Sequence, residues 1–196
     1  MDEIPVYLNM PPSTVVEKVG KREVRIKKQD QESVRISCAL TVFASCDKLH
    51  PFLIFKAKNK GKVEAELQKH KAVVEKKIIV VCQDNAWMDE KSMEYWIRTV
   101  WKTYGVFKLK KDTLLILDSL GSHKTPGVKE LFKEMKSKLV VVPGGLTCKL
   151  QPLDRSINKP FKDALKKRYT EYCIEECDSD AKVKREKVID WITQIW

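Results

Sequence analysis

Three aspartates carry the chemistry that this sequence is equipped to do. Asp118 directly follows the apolar run Thr113-Leu114-Leu115-Ile116-Leu117 and precedes the tight turn Ser119-Leu120-Gly121-Ser122-His123. A carboxylate there stands at the carboxyl end of a buried central strand, where open α/β sheets bind ligands, and it is too costly to bury unpaired. Asp154 closes Leu150-Gln151-Pro152-Leu153-Asp154 just before a helix, and Asp2 opens the first strand. Each has a plainer alternative: Asp118 and Asp154 suit helix caps, and Asp2 alone says nothing. Gathered in one place, three carboxylates repel one another unless a cation sits between them. Mg²⁺, or Mn²⁺ as its substitute, suits hard carboxylate oxygens completed by water and phosphate. Two such ions about 3.5–4 Å apart support in-line displacement at phosphorus.

Whether the three meet depends on the elements that carry them. Val6-Tyr7-Leu8 reads as a strand ended by Met10-Pro11-Pro12. Val34 to Phe43 and Pro51 to Phe55 read as two further strands, joined as a hairpin through Ser45-Cys46-Asp47-Lys48. The lysine-rich stretch from Lys56 to Lys77 reads as a mobile connection with a short helical stretch. Ile78 to Val81 is a short apolar run, after which Asp89 can cap a helix. Met93, Trp96, Ile97, Val100, Trp101 and Tyr104 give that helix one core-facing stripe. Thr113 to Leu117 and Leu139 to Val142 read as buried strands. Between them, Thr125 followed by Pro126 starts a helix. Pro143-Gly144-Gly145 stops the last strand. A long helix follows Asp154, with Asn158 as its expected cap and Pro160 in its first turn. Asp178-Ser179-Asp180 breaks it before a final amphipathic segment with Val188, Trp191, Ile192 and Ile195.

An antiparallel three-strand meander followed by two βα crossovers gives an α/β domain of ribonuclease-H-like order: a mixed sheet, with two parallel strands after the meander, flanked by helices. In that order the first strand and the first crossover strand lie side by side. Asp2 and Asp118 can then face each other, with Asp154 brought across them by the last long helix. The expected division is a catalytic domain over residues 1–177 and a C-terminal amphipathic helix over 178–196, cut short at Trp196. Trp191, Ile192, Ile195 and Trp196 mark that helix as a surface for a second copy or another protein partner.

Composition narrows the partner. The 196 residues are 43% hydrophobic, enough for one domain, and Lys+Arg exceed Asp+Glu by 38 to 27 for a net charge of +11. Such a surplus favours a polyanion, either nucleic acid or an anionic membrane. No apolar run approaches the ~20 residues of a membrane span, and Asp2 and Glu3 stand where a signal peptide would be basic. Nucleic acid is therefore the expected partner, and no membrane. The six cysteines are scattered without a C-x-x-C pair, as reduced thiols are. Cys173 and Cys177 share a helix face, as ordinary half-buried thiols or as half of a zinc site. Lys159, Lys162 and Lys166 form one basic stripe on the long helix, joined by Arg155. The stripe is either a solvated face or a contact for the DNA backbone.

Several segments together resemble the catalytic domain of pogo/Tigger-type transposases of the Tc1/mariner superfamily. They are Asp2 to Pro12, Pro51 to Lys56, Asn85-Ala86-Trp87-Met88, and Leu117-Asp118-Ser119 with Gly121 and His123. The most specific is Pro143-Gly144-Gly145-Leu146-Thr147 followed by Leu150-Gln151-Pro152-Leu153-Asp154 and Asn158-Lys159-Pro160-Phe161. The resemblance runs essentially from end to end. It implies a ribonuclease-H-like fold and an all-aspartate catalytic and metal-binding triad on Asp2, Asp118 and Asp154, with His123 near the metals. It implies DNA as substrate, Mg²⁺ as cofactor, a nuclear location, and DNA cleavage and strand transfer. The alternative it leaves open is a domesticated, transposase-derived module without turnover, acting in DNA, chromatin or protein binding. Proteins of this type carry helix-turn-helix domains ahead of the catalytic domain. None stands in these 196 residues, so the expectation is an excised domain or a shortened gene product.

Overall fold

The computed structural model describes residues 1–7, 35–106, 112–176 and 183–196, with side chains in the second span described to residue 103. The expected end of the first strand at Met10-Pro11-Pro12, the helix break at Asp178-Ser179-Asp180 and Cys177 all lie outside the described residues.

Four strands form one mixed sheet in the order β1 (Asp2–Tyr7), β2 (Arg35–Leu40), β3 (Phe52–Lys56), β4 (Ile79–Gln83). The β1–β2 and β2–β3 pairs are antiparallel, with Asp2 opposite Leu40 and Cys38 opposite Leu53. β4 then runs parallel to β3, so the apolar run at Ile78 to Val81 is a fourth strand of the sheet. β5 (Thr113–Leu117) and β6 (Ser137–Val141) pair in parallel as a second, two-stranded sheet. The two sheets are joined at the site: the Met1 ammonium donates to the Ile116 carbonyl at 2.8 Å, which sets the start of β1 beside the end of β5.

Strand alternation divides the core. Cys38, Leu40, Leu53 and Phe55 point to one face, and Ala39, Phe52 and Ile54 to the other. The first face is covered by α1 (Lys60–Leu67), α2 (Lys71–Val74), α6 (Asn158–Glu175) and α7 (Arg185–Ile195), through residues such as Leu67, Val73, Leu165 and Ile192. The second is covered by α3 (Glu90–Trp96), which widens into a π-helical continuation over Ile97–Val106, and by α4 (Pro126–Glu134). Both helix starts follow their sequence signals: Asp89 accepts from the Ser92 amide at 2.8 Å and Thr125 from the Val128 amide at 3.4 Å. Trp96, Ile97, Val100 and Trp101 are buried on the α3 stripe, each large side chain contributing about 1.5–3 kcal/mol. The Tyr104 side chain lies outside the described ones.

Several expectations are corrected. The lysine-rich connection is two short helices, because Leu67, Ala72 and Val73 give them an apolar edge to bury against β4. The strands β5 and β6 are only half buried: Leu115 and Leu117 face the core, while Leu114 (51% exposed), Ile116 and Val140 face out. An unbroken apolar run conceals that alternation. Part of the apolar surface of the last helix is buried within the chain, while Ile195 and Trp196 are half-buried. Trp191 and Ile192 are buried, and the Trp196 indole donates to the Leu49 carbonyl at 2.6 Å.

Candidate active site

β1 begins at the site, and β5 ends there. Asp2 is the first residue of β1 and is 7% exposed. Asp118 is the first residue past β5, with its side chain 31% exposed. Asp154 is exposed, in a π-helical turn over Leu153–Ile157 that leads into α6. Such wide turns recur at functional sites. A short helix, α5 (Thr147–Leu150), precedes it, and Gly145 at φ +79° supplies the left-handed turn after β6 that glycine takes without strain.

Two amide side chains tie these elements together. Gln151 is 1% exposed and donates to the Met1 carbonyl at 3.0 Å, holding the start of β1 against the segment that carries Asp154. Asn158 is 5% exposed; its amide donates to Asp2 Oδ2 and also, at 2.9 Å, to Asp154 Oδ1. Asn158 therefore does not cap the helix, as its position before Pro160 suggests; it joins two of the three acids. The Asp154-x-x-x-Asn158 spacing, one helical turn, was the available signal for this role.

Asp118 sits differently. The buried His123 ring places Nδ1 2.8 Å from Asp118 Oδ1. The Leu120 amide donates to the same oxygen at 3.2 Å. His123, helped by that amide, holds the Asp118 carboxyl below the ordinary range. Asp2 goes the other way. Burial pushes it up to about 6, opposed by the Asn158 amide and reinforced by Asp154 and then by the charge of Asp118. Burial also lowers the Met1 ammonium to about 6, against the pull of Asp2 and Asp118.

The three acids thus feel one another. Yet among the described residues no three His, Cys, Asp or Glu side chains are close enough, as they stand, to hold one ion. The two observations concern different ranges: charge acts across several ångströms, whereas coordination demands about 2 Å. The donor set fits a hard divalent cation: three carboxylates, plus the buried Oδ1 of Asn158 and Oε1 of Gln151, which lack hydrogen-bond partners. The half of the zinc reading that is described shows Cys173 as a free thiol.

Arg155 lies in the π-helical turn, and Lys159, Lys162 and Lys166 lie on α6. Arg155, Lys159 and Lys162 are exposed and Lys166 is half-buried. Among the described residues Arg155 reaches the Lys149 carbonyl, at 3.5 Å, and no carboxylate pairs with the three lysines. Lys167 and Arg168, the next two residues after Lys166, lie 4.0 and 3.8 Å from Glu171 carboxylate oxygens.

Residues 33–196 match the model of the DDE superfamily endonuclease family. That match contains Asp118 and Asp154 and begins after Asp2. Among curated proteins the chain is similar to "Pogo transposable element with KRAB domain" of Homo sapiens and of Mus musculus. Each is 29% identical over 175 residues, covering 88% of this chain and 27% of the relative. It is also similar to the Homo sapiens "Pogo transposable element with ZNF domain", at 27% identity over 120 residues, covering 60% of this chain and 8% of the relative. The chain therefore spans about a quarter or less of the length of these relatives. No solved structure matches it. The match over most of the chain and the strand-tip aspartate agree: the chain belongs to the DDE superfamily endonucleases, as a domain related to pogo transposases.

Proposed function

We propose that this domain cuts and joins DNA phosphodiesters with divalent ions held by Asp2, Asp118 and Asp154. The observation that supports the reading is the Asn158 amide bridging Asp2 and Asp154, with Asp118 at the end of β5, whose Ile116 carbonyl accepts from the Met1 ammonium at the start of β1. Mg²⁺ is the proposed ion. Bound there, a pair of such ions would activate a water or a 3′-hydroxyl and stabilise the leaving oxygen. The protein's part is to keep Asp118 ionised through His123, to hold Asp2 and Asp154 together through Asn158, and to anchor β1 through Gln151. The test is incubation of the chain with Mn²⁺ and supercoiled plasmid. The reading expects nicked and linear products that a chelator suppresses; intact plasmid under all conditions would count against it.

The DNA would be held by its backbone along Arg155, Lys159, Lys162 and Lys166, and a DNA substrate implies a nuclear location. Four phosphate contacts predict a slope of about −3.6 for log affinity against log salt on duplex DNA. Fluorescence anisotropy checks this, with little preference among duplex sequences expected. An affinity flat in salt, or a strong preference for one sequence, would contradict it.

A second reading is a domesticated module that binds DNA or chromatin without turnover. What favours it is that no three acids stand at coordinating distance among the described residues. Relatives whose names join a pogo element to a KRAB or ZNF domain suit the same reading. The plasmid assay separates the two.

A further inference from the structure

We propose that Asn158 is a positioning residue of this site, one that holds Asp2 and Asp154 at a fixed separation for a shared divalent cation. The inference rests on the metal-site reading above and adds to it a residue outside the triad. Asn158 lies one helical turn beyond Asp154, so both side chains fall on the same face of the helix. An asparagine amide has two N–H donors. Here its nitrogen reaches Asp2 Oδ2, 156 positions away in the chain, and Asp154 Oδ1, four positions away. One planar group thus fixes the strand that carries Asp2 against the turn that carries Asp154.

The residue type suits the task. A neutral donor offsets the repulsion between two carboxylates without cancelling the negative charge that draws a cation. A lysine would neutralise one acid and compete with the ion, and a third carboxylate in its place would add repulsion. The side chain is 95% buried, since its residue is 5% exposed, and Oδ1 of the same amide has no hydrogen-bond partner. A buried amide with one end bonded to both acids and the other unpaired is held in place by those acids and not by other side chains. Groups that orient metal ligands in this way typically govern affinity by 10–100-fold.

The test measures Mn²⁺ affinity directly, from the electron paramagnetic resonance signal of free Mn²⁺, on the purified 196-residue chain and on Asn158→Ala. Circular dichroism verifies that each protein is folded. The expected result is a 10–100-fold weaker affinity in Asn158→Ala. If Asn158→Ala does not fold, Asn158→Ser is measured instead, because it keeps a small polar group but cannot span both acids; the same weakening is expected. A folded Asn158 variant that binds Mn²⁺ as tightly as the parent overturns the inference and leaves the metal site standing. A parent that binds no Mn²⁺, or an Asp118→Asn variant that binds it equally well, overturns the metal site and this inference with it.

Discussion

With Mn²⁺ and supercoiled plasmid, Asp118→Asn should cut DNA about a thousandfold more slowly than the parent. Asparagine keeps the shape of the side chain and removes the charge. In the structure Asp118 is the acid whose ionised form is favoured, because His123 and the Leu120 amide both hold it below the ordinary carboxylate range. It is therefore a dependable negative ligand at neutral pH. Loss of such a ligand removes transition-state stabilisation of roughly 4 kcal/mol, which is about 10³ in rate. Binding to DNA should change little, because Asp118 lies off the basic stripe of α6. An initial-rate assay of nicking checks the first statement and anisotropy the second. Equal cutting by parent and variant would assign the activity to something other than this site.

Stability without metal should fall as pH rises from about 4 to about 6. The cause is Asp2, whose folded pKa is pushed up to about 6 from an unfolded value near 4, mainly by burial. Between those values the folded state holds more protons than the unfolded state, so stability decreases with pH. The shift of roughly two units is worth about 3 kcal/mol, an order-of-magnitude figure, and the loss is complete above pH 6. Two neighbours act in other windows. Asp118 is depressed, so its contribution is present above pH 4 and lost below it. The Met1 ammonium is lowered to about 6, so stability recovers as pH rises from 6 to 8. Urea unfolding in chelator at a series of pH values checks the pattern. Asp2→Asn should abolish the fall between pH 4 and 6, and a parent whose stability climbs steadily through that window would contradict the account.

Local signals were legible in the sequence, and tertiary ones were not. Asp89, Thr125 and Pro126 start helices where their side chains and ring suit orphan amides, a matter of a few neighbouring residues. The stripe from Met93 to Trp101 is core because helical period and burial coincide. Asp118 was legible as a strand-tip residue because five apolar neighbours place it there. Asn158 was not. An asparagine near a helix start reads as a cap, and only the fold shows that Asp2 lies within its reach. Leu114, Ile116 and Val140 face out, which the sequence hides because an all-apolar strand has no alternation to reveal its open face. The helices within Lys56 to Lys77 were hidden by weak amphipathicity, their short apolar edge being visible only against β4. The split into two sheets depends on backbone pairing, which no residue pattern in β5 specifies.

Asp2 is raised first by burial and further by Asp154 and Asp118, while Asp118 is held down by His123. The most direct test of a metal site is therefore thermal unfolding at pH 7.5 of the parent and of Asp2→Asn, each in chelator and in Mn²⁺. Asparagine at position 2 keeps an oxygen for the Asn158 amide and removes the buried charge. In chelator the variant should melt as high as the parent or higher. Mn²⁺ at a hundredfold its dissociation constant should stabilise the parent by about 2.7 kcal/mol, and the variant by much less. A variant that melts below the parent in chelator, with both responding alike to Mn²⁺, would make Asp2 a structural residue and contradict the metal site.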